Sequence, residues 1–263
     1  MLGSRVIYGE KPVPTFCHHP LERKAASGME LSFASYNIHK AVGLDGRRDP
    51  DRILAILREE EAVVVALQEA DRRYGRRISA LPRQAIDDHT PYRLVPLAMT
   101  PDGIGWHGNA LLVRRGIEVV AASPVPLPML EPRGAVCAQL RLAGRLFCVV
   151  GMHLDLSGLR RRRQLQAVKA HVARSGQLCP TVLMGDFNQW SRQGGAMRIF
   201  ETEWQALVPG LSFPSRRPLA PLDRIVASQE WRMIETGVHQ SALAAIGSDH
   251  LPVFARLQLP PGA

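Results

Sequence analysis

The chain of 263 residues carries 33 Lys and Arg against 24 Asp and Glu, a formal charge of +9 and a pI near 10.0. With 46% hydrophobic and 22% charged residues, and no window of the apolar length a membrane span requires, it reads as a soluble globular protein. It is long enough for two packed layers of sheet. The basic balance favours a polyanionic partner only weakly: Lys11, Lys24, Lys40 and Lys169 are the sole lysines, and the arginines are spread as coding bias alone would spread them.

Residues 1–28 show neither helical nor strand period and read as a poorly ordered extension ahead of a single domain over 29–263. They contain no continuous apolar run, so a secretory signal is not expected and a cytoplasmic location is. The cysteines agree with a reducing compartment. Cys17, Cys137, Cys148 and Cys179 make no C-x-x-C pair and no zinc spacing, and the last three sit in or beside apolar runs as buried thiols do. Strands are expected at 30–38 and 62–67, with a helix at 49–60 between them that has Asp49 as N-cap and Pro50 at N1. Strand readings follow at 91–97, 108–114, 117–122 and 134–142, and then at 145–152 and 180–185 around a helix from about 158 to 175. A third helix is expected near 194–203, before strands at 222–227, 232–239 and 251–258. AVVVAL and FCVVGM are apolar throughout, as suits strands covered on both faces. Runs of strands separated by single helices predict packed mixed sheets with helices outside.

The informative residues are those where apolar strands stop. VLMGDFNQW, residues 182–190, runs into Gly185 and then sets Asp186 and Asn188 around Phe187. The pattern recurs at Asn37 (SFASYNIH), at Gln68-Glu69 (VVVALQE), at His153 (FCVVGMH), at Asp223 (LDRIV) and at Ser248-Asp249-His250 (GSDHLPV). One such residue is a cap or a turn; six strand ends brought to one crevice are a ligand site. Glu69, Asp186, Asp249, Asn37 and Asn188 offer hard oxygen with no thiolate beside them, which suits Mg²⁺ or Mn²⁺ and not zinc. His153 and His250 can act as acid, base or phosphate donor. No G-x-S-x-G elbow and no P-loop is present, so water activated by a metal and a carboxylate is the expected nucleophile. Strand alternation puts Asp186 and Asn188 on one side and turns Phe187 into packing.

In their order, YNIH, LQEADR, HGNALLV, HLDLS, GDFN, LDRI and SDHLP resemble the motifs of the endonuclease/exonuclease/phosphatase superfamily, over residues 30 to about 258. The resemblance is to small bacterial members of unassigned substrate, and GDFN and SDHLP are its specific parts. It implies an α/β (α+β) four-layer sandwich, two packed mixed β-sheets with helices on the outer faces, as in deoxyribonuclease I. It also implies divalent-metal-dependent hydrolysis of a phosphodiester by in-line attack of water. Carried over by position, Glu69 binds the Mg²⁺ or Mn²⁺ with Asn37 and Asp249, and Asp186 orients or deprotonates the water. Asn188 donates to a phosphate oxygen; His250, its tautomer fixed by Asp223, stabilises the pentacoordinate phosphorus or takes part in proton transfer; His153 lies close to the phosphate and the leaving oxygen. Arg133, in EPRGAV, falls where the nuclease branch has an arginine on the phosphate. Nucleic acid is one expected substrate. A phospholipid or phosphoinositide headgroup is the alternative, and a non-catalytic polyanion-binding protein on the same fold is the third reading. A monomer is expected.

Other polar residues have ordinary readings. Gln68 bonds to backbone, Asp71-Arg72-Arg73 is a solvated turn, His39-Lys40 is an exposed loop and the arginines at 160–163 form a solvated helix face. His107 is undecided between pocket rim and packing.

Overall fold

The computed structural model describes residues 28–72, 75–128, 133–174, 179–192, 194–200 and 202–259, so the expected extension lies outside the described residues except for Gly28. In chain order the strands are β1 (Met29–Asn37), β2 (Val64–Gln68), β3 (Tyr92–Leu94), β4 (Ala110–Arg114), β5 (Glu118–Val125) and β6 (Gly134–Leu142). They continue with β7 (Arg145–His153), β8 (Thr181–Asp186), β9 (Trp204–Leu207), β10 (Asp223–Ser228), β11 (Arg232–Val238) and β12 (Val253–Leu259). The α-helices are α1 (Pro50–Glu59), α2 (Arg83–His89), α3 (Gly158–Arg174) and α4 (Ala244–Gly247).

These strands make two six-stranded sheets, ordered β11-β12-β1-β2-β4-β3 and β5-β6-β7-β8-β10-β9. Each sheet has one parallel pair at its centre, β1 with β2 and β7 with β8, between antiparallel neighbours. Because successive side chains of a strand face opposite ways, each apolar strand feeds two cores. Phe33, Val64 and Ala66 meet Val136, Val149, Val182 and Met184 between the sheets. Ala34, Val65 and Leu67 turn outward onto Ile53, Ile56 and Leu57 of α1. Val150 and Leu183 turn outward onto Leu165 and Val168 of α3. The layers therefore run helix, sheet, sheet, helix, which is the four-layer sandwich expected. Trp231 locks the middle layer, edge-on to Phe33 at 5.4 Å and to Phe147 at 6.1 Å.

Each expected strand forms within a few residues of its predicted place, and Asp49 caps α1 by accepting from the Arg52 amide at 3.1 Å with Pro50 behind it. β9 was not expected: four residues at a sheet edge are too few to show alternation. The third expected helix is a 3₁₀ segment only, Gly195–Phe200, and α2 and α4 carried no signal strong enough to read. The arginine run is not wholly solvated. Arg161 is buried, donating to Asp155 O, Leu156 O and Gln189 Oε1, because the turn of α3 aims that one position inward. Cys137 and Cys148 are buried free thiols and Cys179 is half-buried. Among the described residues, no helix is long and apolar enough to cross a membrane.

Glu60, just past α1, is buried, and burial raises its carboxyl to about 7, against the pull of His239 and helped by Glu59. The folded form holds this proton more tightly than the unfolded chain. The stabilising effect is thus complete at low pH and is lost as pH rises from about 4.5 to about 7. Glu60→Gln is expected to stabilise the protein by roughly 2 kcal/mol at pH 8 and by nothing measurable at pH 4, read from urea unfolding at the two pH values.

Candidate active site

The four parallel strands end at one edge of the sandwich. Asn37 ends β1 beside Gln68 of β2, and His153 ends β7 beside Asp186 of β8. β10 runs the other way, so its first residue, Asp223, pairs with Asp186. Gly185 makes this approach possible: its φ is +153°, and a Cβ there would fall 1.9 Å from Met152 O. Only glycine lets β8 lie against β7 at that point.

Asp186 is the hub. Its Oδ2 accepts from Asn37 Nδ2 at 3.0 Å and lies 3.3 Å from His153 Nε2 and 3.7 Å from His250 Nε2; its Oδ1 accepts from the Asn188 amide at 2.9 Å. Burial raises its carboxyl to about 6, with Asp223 adding to the rise and His250 opposing it. Asp223 Oδ2 accepts from Ser212 Oγ at 2.6 Å and from His250 Nδ1 at 2.8 Å. Burial works against a charge on His250, yet the Asp223 carboxylate, and Asp186 behind it, lift it to about 10, so this imidazole is cationic at neutral pH. The Phe213 ring packs 4.8 Å from it and fixes its tilt.

Strand alternation does not position Asn188. β8 stops at Asp186, and Asn188 lies in a turn with φ +50°, its Nδ2 donating to Leu154 O at 2.9 Å. Phe187 is buried in the outer core, as expected. Asn37 donates to Asp186, and its Oδ1 accepts from the His39 amide. Glu69 follows β2 with φ +55°, a left-handed turn that takes its carboxylate off the strand line. Gln68 is structural, paired with Ser35 Oγ and Ala66 O. Arg133 is buried with its Nη1 against His153 Nε2. Asp249 adds its charge to the lift on His250 from the rim. Its side chain is 37% exposed and lies 3.9 Å from His39 Nδ1, with Ser248 Oγ donating to it.

Six residues outside the predicted set, Lys40, Asp71, Arg72, Arg77, His107 and Gly108, line the cleft with Glu69, Arg133 and His153. His39, Lys40 and Ala41 carry φ values of +45°, +59° and +60°, and this run swings Lys40 Nζ onto Glu69 Oε2. Lys40 is therefore no exposed loop residue. Arg77 and His107 line the same wall. Asp71 is buried rather than solvated, both oxygens accepting from the Ile104 and Gly105 amides at 2.8 and 3.0 Å.

The chemistry of the donors suits a hard divalent ion. Glu69 and Asn37 supply oxygen, and the carboxylate already draws a positive group, the Lys40 ammonium, onto itself. Asp186, Asp223 and His250 are the group among the described residues whose ligand atoms lie within 4.8 Å of one another and could hold a metal.

Two mixed sheets that gather carboxylates, amides and imidazoles at one set of strand ends define the phosphoester-hydrolysing sandwich class. The profile of the Endonuclease/Exonuclease/phosphatase family matches residues 34–250. The chain belongs to that family and is a phosphoric ester hydrolase. A comparison with curated proteins finds no match. Among solved structures it is similar to an endonuclease/exonuclease/phosphatase from Beutenbergia cavernae DSM 12333, at 23% identity over 88% of this chain and 72% of that one, TM-score 0.65. It is also similar to TDP2 of D. rerio complexed with single strand DNA product, at 15% identity over 87% and 99%, TM-score 0.68. A third is a mannosyl-6-phosphatase from Bacteroides thetaiotaomicron VPI-5482, at 18% identity over 86% and 99%, TM-score 0.64. At these identities the likeness is one of fold.

Proposed function

We propose that residues 29–263 work as one domain, a monomeric cytoplasmic phosphodiesterase dependent on Mg²⁺ or Mn²⁺, with nucleic acid the first substrate to test. The observation that carries this reading is the convergence of Asn37, His153 and His250 on one buried carboxylate oxygen, Asp186 Oδ2. Glu69 and Asn37, with Asp249 from the rim, would hold the ion, which supplies positive charge to a phosphoryl oxygen when bound. Asp186 holds the attacking water in line and takes its proton; its raised affinity for protons fits a base. His250, kept charged by Asp223, donates Nε2–H to the phosphoryl group as negative charge builds there. Asn188 has a second amide N–H beyond the one on Leu154 O, directed to a phosphate oxygen in this reading. His153 and Arg133 serve the leaving-group side. The catalytic gain in this reading is one of positioning.

The test is incubation of the purified full chain with Mg²⁺, Mn²⁺ or EDTA on five substrate classes. These are supercoiled plasmid, single-stranded DNA and RNA, an aryl phosphodiester, an aryl phosphomonoester and mixed phospholipid vesicles. Metal-dependent diester cleavage is expected. Turnover of lipid alone would move the assignment to a headgroup phosphodiesterase, and binding without turnover in every metal would leave only a polyanion-binding protein.

A further inference from the structure

The cleft holds more positive charge than one phosphodiester needs. Lys40 is matched by Glu69, and the Asp71 carboxylate is taken up by two backbone amides. Arg72 and Arg77 line the same cleft, and among the described residues neither lies within ion-pair distance of a carboxylate. Arg77 is nonetheless held in place. Its Nη1 lies 2.9 Å from His107 Nδ1 and 3.2 Å from Met99 Sδ. Burial, and then Arg77 itself, lower the affinity of His107 for a proton, so the ring is neutral at pH 7 and accepts the guanidinium N–H. Asp71 feels this guanidinium through space, but no carboxylate among the described residues bonds it, so its remaining N–H groups are left for another acceptor. The loop is built to present it. Arg77 and His107 both adopt left-handed backbone, with φ +49° each, while an antiparallel bridge between Asp71 and Ser79 closes the turn. The adjacent Arg76, by contrast, is exposed and paired with Asp102 at 2.8 Å.

We propose that Arg77, oriented by His107 and joined by Arg72, forms a second anion subsite beside Glu69, and that the preferred substrate is a phosphoester bearing a further phosphate group. This rests on the phosphodiesterase reading for the first phosphate but not for the subsite itself. Arg72 also lines a neighbouring groove of about 430 Å³, with Arg48, Pro82 and Arg83. A substrate with its second phosphate on Arg77 and Arg72 would leave the cleft by that groove.

The experiment is calorimetric titration of the full chain with pyrophosphate and with inorganic phosphate in EDTA. It uses wild type, Arg77→Gln, Arg77→Lys and Arg76→Gln, with aryl phosphodiester turnover in Mg²⁺ measured on the same preparations. Wild type is expected to bind pyrophosphate more tightly than phosphate. Arg77→Gln should weaken pyrophosphate about tenfold or more, Arg77→Lys by less, and Arg76→Gln not at all. Equal pyrophosphate affinity in wild type and Arg77→Gln overturns the subsite, as does an equal loss in Arg76→Gln, which would mark a general charge effect. Pyrophosphate binding that depends on Arg77 in a protein without diester turnover keeps the subsite and removes the hydrolytic reading instead.

Discussion

Asp186→Asn is expected to lower phosphodiester turnover by about 10³–10⁴-fold, because the amide cannot take the proton and one of its two accepting oxygens becomes an N–H₂ donor. The amide has nearly the shape of the carboxylate, so packing against Gly185 and Phe187 survives. Its cost in stability should be modest: the burial penalty on the charge is relieved, but Asn37 Nδ2 loses its acceptor and the His250 imidazolium part of its counter-charge. The measurement is kcat/KM on an aryl phosphodiester together with the urea midpoint. A variant that keeps turnover within tenfold of wild type would remove Asp186 from the reaction. One that is no longer folded at the assay temperature would mark a structural role for the hub.

The second large effect belongs to the pair behind it. Asp223→Asn is expected to lower turnover by about 10²–10³-fold. It should also return the His250 imidazole from about 10 toward its ordinary range, a change visible as a shifted titration of its C–H resonances by NMR. The sign for stability is fixed by the same fact. The folded state holds the His250 proton more tightly than the unfolded chain, so this stabilisation is complete below about 6.5 and is lost as pH rises toward about 10. In Asp223→Asn that alkaline loss should largely vanish. Ser212 Oγ, which donates to the same carboxylate oxygen, gives a milder handle: Ser212→Ala should move the His250 titration slightly and keep most activity.

Much of this was legible in the sequence for a stated reason. A strand buried on both faces has nowhere to put a carboxylate except its end, so Asn37, Glu69, His153 and Asp186 stand out wherever an apolar run stops. Asp49-Pro50 marks a helix start through local chemistry that needs no partner. What was illegible depended on distant partners or on backbone twist. Asp71 looks like a solvated turn residue because its two amide donors lie more than thirty positions away. Lys40, Arg77 and His107 reach the cleft only because their backbones turn left-handed, which no spacing of residue types announces. Arg161 differs from its neighbours in the run at 160–163 only by the direction in which α3 turns it. Asn188 lies beside Asp186 through a left-handed turn and not through strand alternation, a twist the residue pattern did not announce.

The pairing of β1 with β12 has a consequence for how the protein is made. The earliest described strand is zipped along its length to the last, Met29 opposite Leu259 and Ser35 opposite Val253, and His250 arrives on the segment that leads into β12. A growing chain emerging from the ribosome can assemble the second sheet and all of its reactive groups, yet the imidazolium is still unsynthesised and β1 waits with an open flank. The cleft and the first sheet are therefore completed together, by the one segment that carries His250 into β12 beside β1.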